Sequence, residues 1–356
     1  MKILVCHPGA TFSVVDVYNG LVSALKKAGH EVVVYNTDGH FMASIKYMEF
    51  AYQIHKMRNP LSDLGEPTKA DIFYHASNGL LERTLRLEPD FVLVVGGMYI
   101  HPDTLVMLRR AGVPIAALLT ESPYWDDTQI RMIKHLNWCY TNELNSVDYL
   151  RDNIPGGLVY YASHAYDPEK HKPAPLPTEY LHDVVFVGTG FEDRVSLLEG
   201  VNWDGINLGL YGVWETVKES SPLYQHIAGG TVDNEVATQL YHQSKIGLNI
   251  YRKNVDFEDD KLVEFNAYSM NPRVLELAAC ETFFLSDDRP EQREVFGSLL
   301  PTFNTSAELE TLIRYYLDHK DEREAIARRL STPVKDRTFG NMASLIVETS
   351  RLHLRG

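Results

Sequence analysis

The chain has 356 residues, 44% hydrophobic and 23% charged, the composition of a folded protein in water and too long for one ordinary core. Lysine and arginine number 34 against 48 acids, and the formal charge of −14 argues against a broad phosphate-gripping surface, so a nucleic-acid partner is disfavoured. No stretch approaches the roughly 20 apolar residues of a membrane span. The opening Met1 to Cys6 gives way to His7 and Pro8, so a strand is expected there and not a secretion signal, with a cytoplasmic location as the corollary.

The first forty residues read as a strand, a helix and a second strand. Lys2 to Cys6 is the first strand, and His7-Pro8-Gly9-Ala10-Thr11 is its loop. Val17, Leu21, Ala24, Leu25 and Ala28 recur at helical spacing before Gly29 stops the helix. Val32 to Tyr35 is an apolar run too short for a helix, the pattern of a strand covered on both faces. A more polar stretch near residues 40 to 75 follows. The rhythm resumes with a strand at Asp90 to Val95 ending in Gly96-Gly97, a helix over Pro102 to Ala111 and a strand at Val113 to Thr120. Short strands are expected at Trp138 to Thr141 and Leu158 to Tyr161.

Residues 167 to 179 carry Pro168, Pro173, Pro175 and Pro177, the composition of an exposed connector between domains. Beyond it come strands at Asp183 to Gly188 and Ile206 to Tyr211, a helix over Asn234 to Gln243, and a strand from Lys245 to Ile250. A helix from Pro272, a strand at Phe283 to Leu285 and a helix capped by Thr305 and Glu308 complete the series. Strands alternating with helices imply parallel sheets with helices on both faces. The expected architecture is α/β, two Rossmann-like doubly wound domains at about residues 1–170 and 180–336.

Open parallel sheets bind ligands beyond the C-terminal ends of their strands. The clearest signal there is Asn271-Pro272-Arg273, followed three residues later by Glu276. Asn is a good N-cap and Pro suits the first helical position, so unpaired N–H groups and a partial positive charge should meet an anion at this turn. Arg273 adds a permanently charged fork. Glu276 has the chemistry to accept two ribose hydroxyl bonds, or it simply complements the helix dipole; the spacing leaves both open. Gly188-Thr189-Gly190 with Arg194 is a second candidate, since small residues after a strand let a ligand approach the backbone. Tyr251 and Arg252 follow a strand end, whereas Lys245 precedes its strand and reads as a solvated cation. In the N-terminal half, His7 and Glu121 follow strands and are candidate catalytic groups. The lone Gly9 in the first loop does not make a dinucleotide fingerprint. Asp126-Asp127, Asp259-Asp260 and Asp287-Asp288 read as helix starts or solvated loops before they read as metal ligands. Neither a metal nor a cofactor is expected. Cys6, Cys139 and Cys280 lie in apolar surroundings and read as buried thiols.

The run Asn271 to Phe296, NPRVLELAACETFFLSDDRPEQREVF, resembles the signature of the CgeB-type (spore-maturation) glycosyltransferases, relatives of family 4 of the GT-B glycosyltransferases. The likeness extends to DVVFVGTGFEDRVSLL at Asp183 to Leu198, LYHQSKIGLNIY at Leu240 to Tyr251, YYASHAYDPEKHKP at Tyr160 to Pro173 and TESPYW at Thr120 to Trp125. The resemblance implies a GT-B architecture with its two domains facing a cleft and a last helix, about 341–356, packing back on the first domain. It implies a UDP- or GDP-sugar donor bound by the C-terminal domain and a glycosyl transfer needing no metal. Glu276 would bind the donor ribose, and Arg194 would help neutralise the phosphates. Two departures stand out: Tyr268 occupies the place of the family's first motif Glu, and Glu281 that of a Gly. A sugar-nucleotide epimerase on the same fold and a non-catalytic nucleotide-sugar-binding protein remain as alternatives.

Overall fold

The computed structural model describes residues 1–9, 14–96, 100–255, 263–264 and 266–354. Ala10, Thr11, Gly97, Asp259 and Asp260 lie outside them. The chain divides into two compact units, Met1–Ser163 with Met342–Gly356, and His164–Asn341. The Pro-rich stretch 167–179 falls just inside the second.

The first unit runs β1 (Lys2–His7), α1 (Val15–Lys27), β2 (Glu31–Asn36), α2 (Thr37–Arg58), α3 (Lys69–Leu87), β3 (Phe91–Val95), α4 (Pro102–Arg110), β4 (Ile115–Leu119), α5 (Asp126–Ile133), β5 (Trp138–Thr141), α6 (Val147–Arg151) and β6 (Val159–Tyr161). Its six strands are parallel in the order β2-β1-β3-β4-β5-β6, so the winding reverses between β1 and β3. β1, β3 and β4 are buried along almost their whole length, as apolar runs covered by helices should be. β2 departs from the expectation of two covered faces. It is the edge strand of its sheet, and its Val34 is 40% exposed.

The polar stretch after β2 holds two long helices that the apolar pattern does not announce. In α2 the buried residues are Thr37 and Ser44, while Met42, Tyr47, Phe50, Ile54 and Met57 are exposed, so no apolar stripe faces a core. The helix still starts on a sound cap, with Asn36 Oδ1 accepting from the Asp38 and Gly39 N–H groups. α3 starts on a capping box formed by Thr68 and Asp71.

The second unit runs β7 (His182–Val187), α7 (Glu192–Glu199), β8 (Leu208–Tyr211), β9 (Ile227–Gly229), α8 (Asn234–His242), β10 (Ser244–Asn249), β11 (Asn254–Val255), β12 (Val263–Glu264), α9 (Pro272–Ala279), β13 (Phe284–Asp287), α10 (Pro290–Phe296), β14 (Thr302–Phe303), α11 (Ser306–Asp318) and α12 (Lys320–Leu330). Its main sheet is parallel in the order β14-β13-β10-β7-β8-β9, reversing between β7 and β10. Successive strand residues serve opposite faces: Val184 and Phe186 join one core cluster, and Val185 joins the other. The final helix α13 (Phe339–Leu354) belongs from Met342 onward to the first unit. There Ile346 is fully buried, and the Tyr140 hydroxyl bonds with Thr349 Oγ1. Tyr160 Oη lies 2.7 Å from His353 Nε2.

Candidate nucleotide-sugar site

In the second unit the reversal point brings the loops after β7 and β10 side by side, where open parallel sheets take their ligands. The first loop is Gly188-Thr189-Gly190 and the second begins at Ile250. α9 starts beside them. Asn271 is its N-cap, with Oδ1 accepting from the Val274 N–H, and Pro272 occupies the first turn. Asn271 Nδ2 also donates to Asn249 Oδ1 at 2.9 Å, tying the helix start to the end of β10. Arg273 Nη1 donates to the same oxygen at 3.3 Å, and its charge acts on the buried Tyr241 of α8. Burial pushes the Tyr241 phenol well above its ordinary pKa, so it stays protonated.

Arginines gather on two phenylalanine rings. Arg273 lies 4.6 Å and Arg194 5.4 Å from the Phe186 centroid. Arg194 and Arg252 lie 4.9 and 4.7 Å from Phe191. Arg194 is anchored through Nη1 to the Thr189 carbonyl at 2.9 Å. Three guanidiniums on neighbouring aromatic faces are a local reversal of the chain's acidic character and suit a polyanion. The glycines make this approach possible. A Cβ on Gly188 would sit 2.4 Å from Arg273 Nη2, and one on Gly190 2.3 Å from the Trp214 ring.

A buried polar layer holds the β10 loop. Asn249 Nδ2 donates to Ser286 Oγ at 2.9 Å, and Ser286 Oγ donates to Gln292 Oε1 at 2.8 Å. Tyr251 is 3% exposed, and its hydroxyl donates to the same Gln292 oxygen at 3.0 Å. Tyr251 therefore forms part of the wall, while Arg252 beside it turns to Phe191. Asp287 accepts from the Tyr251 N–H at 2.9 Å through Oδ1, and Lys253 Nζ lies 3.9 Å from its Oδ2. Burial pushes the Asp287 carboxyl up to about 6, although the Tyr251 N–H and the Lys253, Arg289 and Arg194 charges pull the other way. Buried Arg289 donates to the carbonyls of Ala267 and Arg252 and stacks on Tyr251.

Glu276 is buried in α9, close enough to Tyr241 and Cys280 for its charge to raise both their pKa values further. Tyr268 donates to Glu294 of α10, so the motif position that lacks a carboxylate is hydrogen-bonded to one. Glu281 adopts a left-handed φ of 54°, the conformation a Gly favours, and accepts from Ser331 Oγ at 3.1 Å. The turn into β13 thus keeps a glycine-like backbone without the glycine. Lys245, at the start of β10, is ion-paired with Asp183 at 2.7 Å. Asn249, Phe186 and Phe191 escape a motif reading; the signal for Asn249 is a lone polar residue closing an apolar strand, and Asp287, expected in a helix start or solvated loop, is instead buried at the end of β13.

In the first unit, His7 is 4% exposed, stacks on Tyr18 with centroids 3.6 Å apart, and accepts from the Gly9 N–H through Nδ1 at 3.1 Å. Burial lowers its pKa to about 4, so the imidazole is neutral at pH 7. Glu121 is half-buried in the turn after β4. Asp126 is a buried hub accepting from Ser122 Oγ at 2.7 Å and from Ser146 Oγ. Among the described residues no group of three or more His, Cys, Asp or Glu side chains could hold a metal ion. The three cysteines are free and buried.

Residues 194–340 match the glycosyl transferase-like family model. The spore protein CgeB of Bacillus subtilis (strain 168) is 24% identical over 247 residues, 67% of this chain and 76% of its own length. Over that span the chain is similar to CgeB. The whole of it superposes on the whole of sucrose-phosphate synthase from Thermosynechococcus elongatus, with a TM-score of 0.65 at 11% identity. Anabaena HepE, solved in complex with UDP-glucose, gives 0.65 at 12% identity, covering 99% of this chain and 100% of HepE. UDP-GlcNAc 2-epimerase from Neisseria meningitidis, bound to UDP-GlcNAc, gives 0.57 at 12%, with 99% and 100% covered. The chain has the GT-B fold, and its arginine cluster begins where the glycosyl transferase-like match begins. None of its described helices is long and apolar enough to cross a membrane.

Proposed function

We propose that the chain is a glycosyltransferase that takes a hexosyl or pentosyl group from a nucleotide-activated donor, UDP-sugar before GDP-sugar, and passes it to a hydroxyl acceptor. One observation carries the reading: Arg194, Arg252 and Arg273 converge on Phe186 and Phe191 at the reversal point of the second sheet. That arrangement suits a diphosphate, with the α9 N-terminus adding its unpaired N–H groups. In this reading the arginines bind the diphosphate and stabilise the charge that grows on it as the bond to the sugar breaks. Glu276 takes the ribose hydroxyls, and Gly188, Thr189 and Gly190 let the donor lie against backbone. Asn271 keeps the helix start in place. Tyr251 shapes the wall. The UDP-glucose of HepE supports the choice of nucleotide.

The acceptor is assigned to the first unit, with Glu121 as the base that takes its hydroxyl proton. His7, neutral at pH 7 with Nδ1 accepting from Gly9, can donate through Nε2 to an acceptor oxygen. Turnover is expected to survive chelation of divalent ions.

The experiment is a panel of UDP- and GDP-sugars incubated with and without candidate hydroxyl acceptors. Release of free nucleoside diphosphate that depends on acceptor supports transfer. A second reading, epimerisation of the donor, is favoured by the structural likeness to UDP-GlcNAc 2-epimerase. It predicts sugar turnover with no acceptor present. Nucleotide binding with no turnover would leave a non-catalytic binding protein.

A further inference from the structure

The first unit contains a cavity of about 610 Å³ that no part of the donor site uses. It lies at the C-terminal side of β1 and β2, where a parallel sheet takes ligands: Pro8 follows β1, and Thr37 and Asp38 open α2 directly after β2. Phe41 of α2 and Phe73 of α3 supply opposite helical walls, and Met42, Lys69 and Ala70 stand at its exposed rim. Its size falls within the roughly 300–1,000 Å³ of small-molecule sites, and apolar walls with few polar groups are the usual lining of such sites.

The walls are held apart and in place by contacts outside the cavity. Ser44 Oγ of α2 lies 2.9 Å from His75 Nδ1 of α3, and Tyr47 stacks on the same ring. The Tyr35 hydroxyl of β2 donates to the Ala76 carbonyl of α3 at 2.7 Å. Phe73 packs against His101, with centroids 5.6 Å apart. The inner wall is equally fixed, because a Cβ on Gly9 would sit 2.5 Å from Asp38 Cβ, so the β1 loop abuts the start of α2. Pro8, which lines the cavity, follows His7 in the chain.

We propose that this cavity binds the apolar portion of the acceptor, making the acceptor an amphipathic hydroxyl compound with a substantial aliphatic group. Its hydroxyl end lies toward Pro8 and Asp38, and its apolar end lies between Phe41 and Phe73. That the occupant is an acceptor rests on the glycosyl-transfer reading; that the cavity binds aliphatic groups does not.

The test uses n-alkyl β-D-glucosides from hexyl to decyl, below their micelle concentrations, as calorimetric probes of the full chain. Affinity should rise about fourfold for each methylene added, the factor expected for burying one CH₂. Two rim substitutions at exposed positions should close the site without touching the core: Ala70→Trp blocks its mouth, and Met42→Glu charges it. Each should weaken decyl glucoside binding at least about tenfold while UDP titrations stay unchanged, which also certifies the fold. Affinity independent of chain length, or wild-type binding in both variants, overturns the cavity assignment even if UDP binds. Chain-length-dependent binding with no UDP binding by the wild type keeps the cavity as a binding site and removes its occupant's role as acceptor.

Discussion

Replacing Arg273 tests the proposed donor site. In Arg273→Ala the Asn249 Oδ1 atom keeps its bond from Asn271 Nδ2 at 2.9 Å, so the helix start should survive. For the ligand, a charge-assisted bond to phosphate contributes about 1.5–3 kcal/mol, so UDP should bind roughly tenfold to a hundredfold more weakly. Uridine, which lacks phosphate, should bind the variant and the wild type alike. Arg273→Lys keeps a charge but not the planar fork and should fall between them. Calorimetry with both ligands, after circular dichroism has verified folding, measures the difference directly. Equal weakening for uridine and UDP, or none for either, would place the diphosphate away from α9 and refute the reasoning.

Asp287 should make stability depend on pH in the sense opposite to a salt-bridged acid. Its folded pKa is raised to about 6 by burial, so the native state holds a proton that the unfolded chain has lost. The contribution is present below the unfolded carboxyl range near pH 4 and is lost as pH rises toward 6. Wild type minus Asp287→Asn stability, from denaturant titrations at several pH values, should therefore fall over that window; a flat difference would contradict it. At the left-handed Glu281, Glu281→Ala loses the Ser331 bond and keeps the backbone strain, whereas Glu281→Gly relieves that strain. Glu281→Gly should be more stable than Glu281→Ala by about 1 kcal/mol in thermal or denaturant unfolding, and the reverse order would count against a left-handed turn.

Most buried strands and the capped helices could be read from the sequence because their signals are local. Asn271-Pro272 marks the start of α9, Thr305 with Glu308 closes a capping box on α11, and the apolar runs of β1, β3 and β4 are buried as their patterns imply. α2 was not legible, since it turns apolar residues such as Phe50 and Met57 to solvent and so lacks the one-sided period that marks a packed helix. β2 misled for a related reason: a run of valines records apolar character but not whether a neighbour exists to cover it. At the site, Arg194, Arg252 and Arg273 could be picked out one at a time. Their sharing of Phe186 and Phe191 could not, because it is made by strand order, with β7 and β10 adjacent although nearly 60 residues separate them.

The return of α13 gives the two units unequal histories. The second unit is one uninterrupted stretch, His164–Asn341, inserted into a unit whose own sequence is split around it. Its entry and exit run side by side, with the Tyr166 N–H donating to the Arg337 carbonyl and the Phe339 N–H donating to the Tyr166 carbonyl. During synthesis, all of the second unit emerges before Ile346 and Thr349 are available to cover Tyr140. Although domains generally complete in order from the N-terminus, here the unit begun first is finished last. Until α13 arrives, the β5 face of the first unit waits on the ribosome with Tyr140 uncovered.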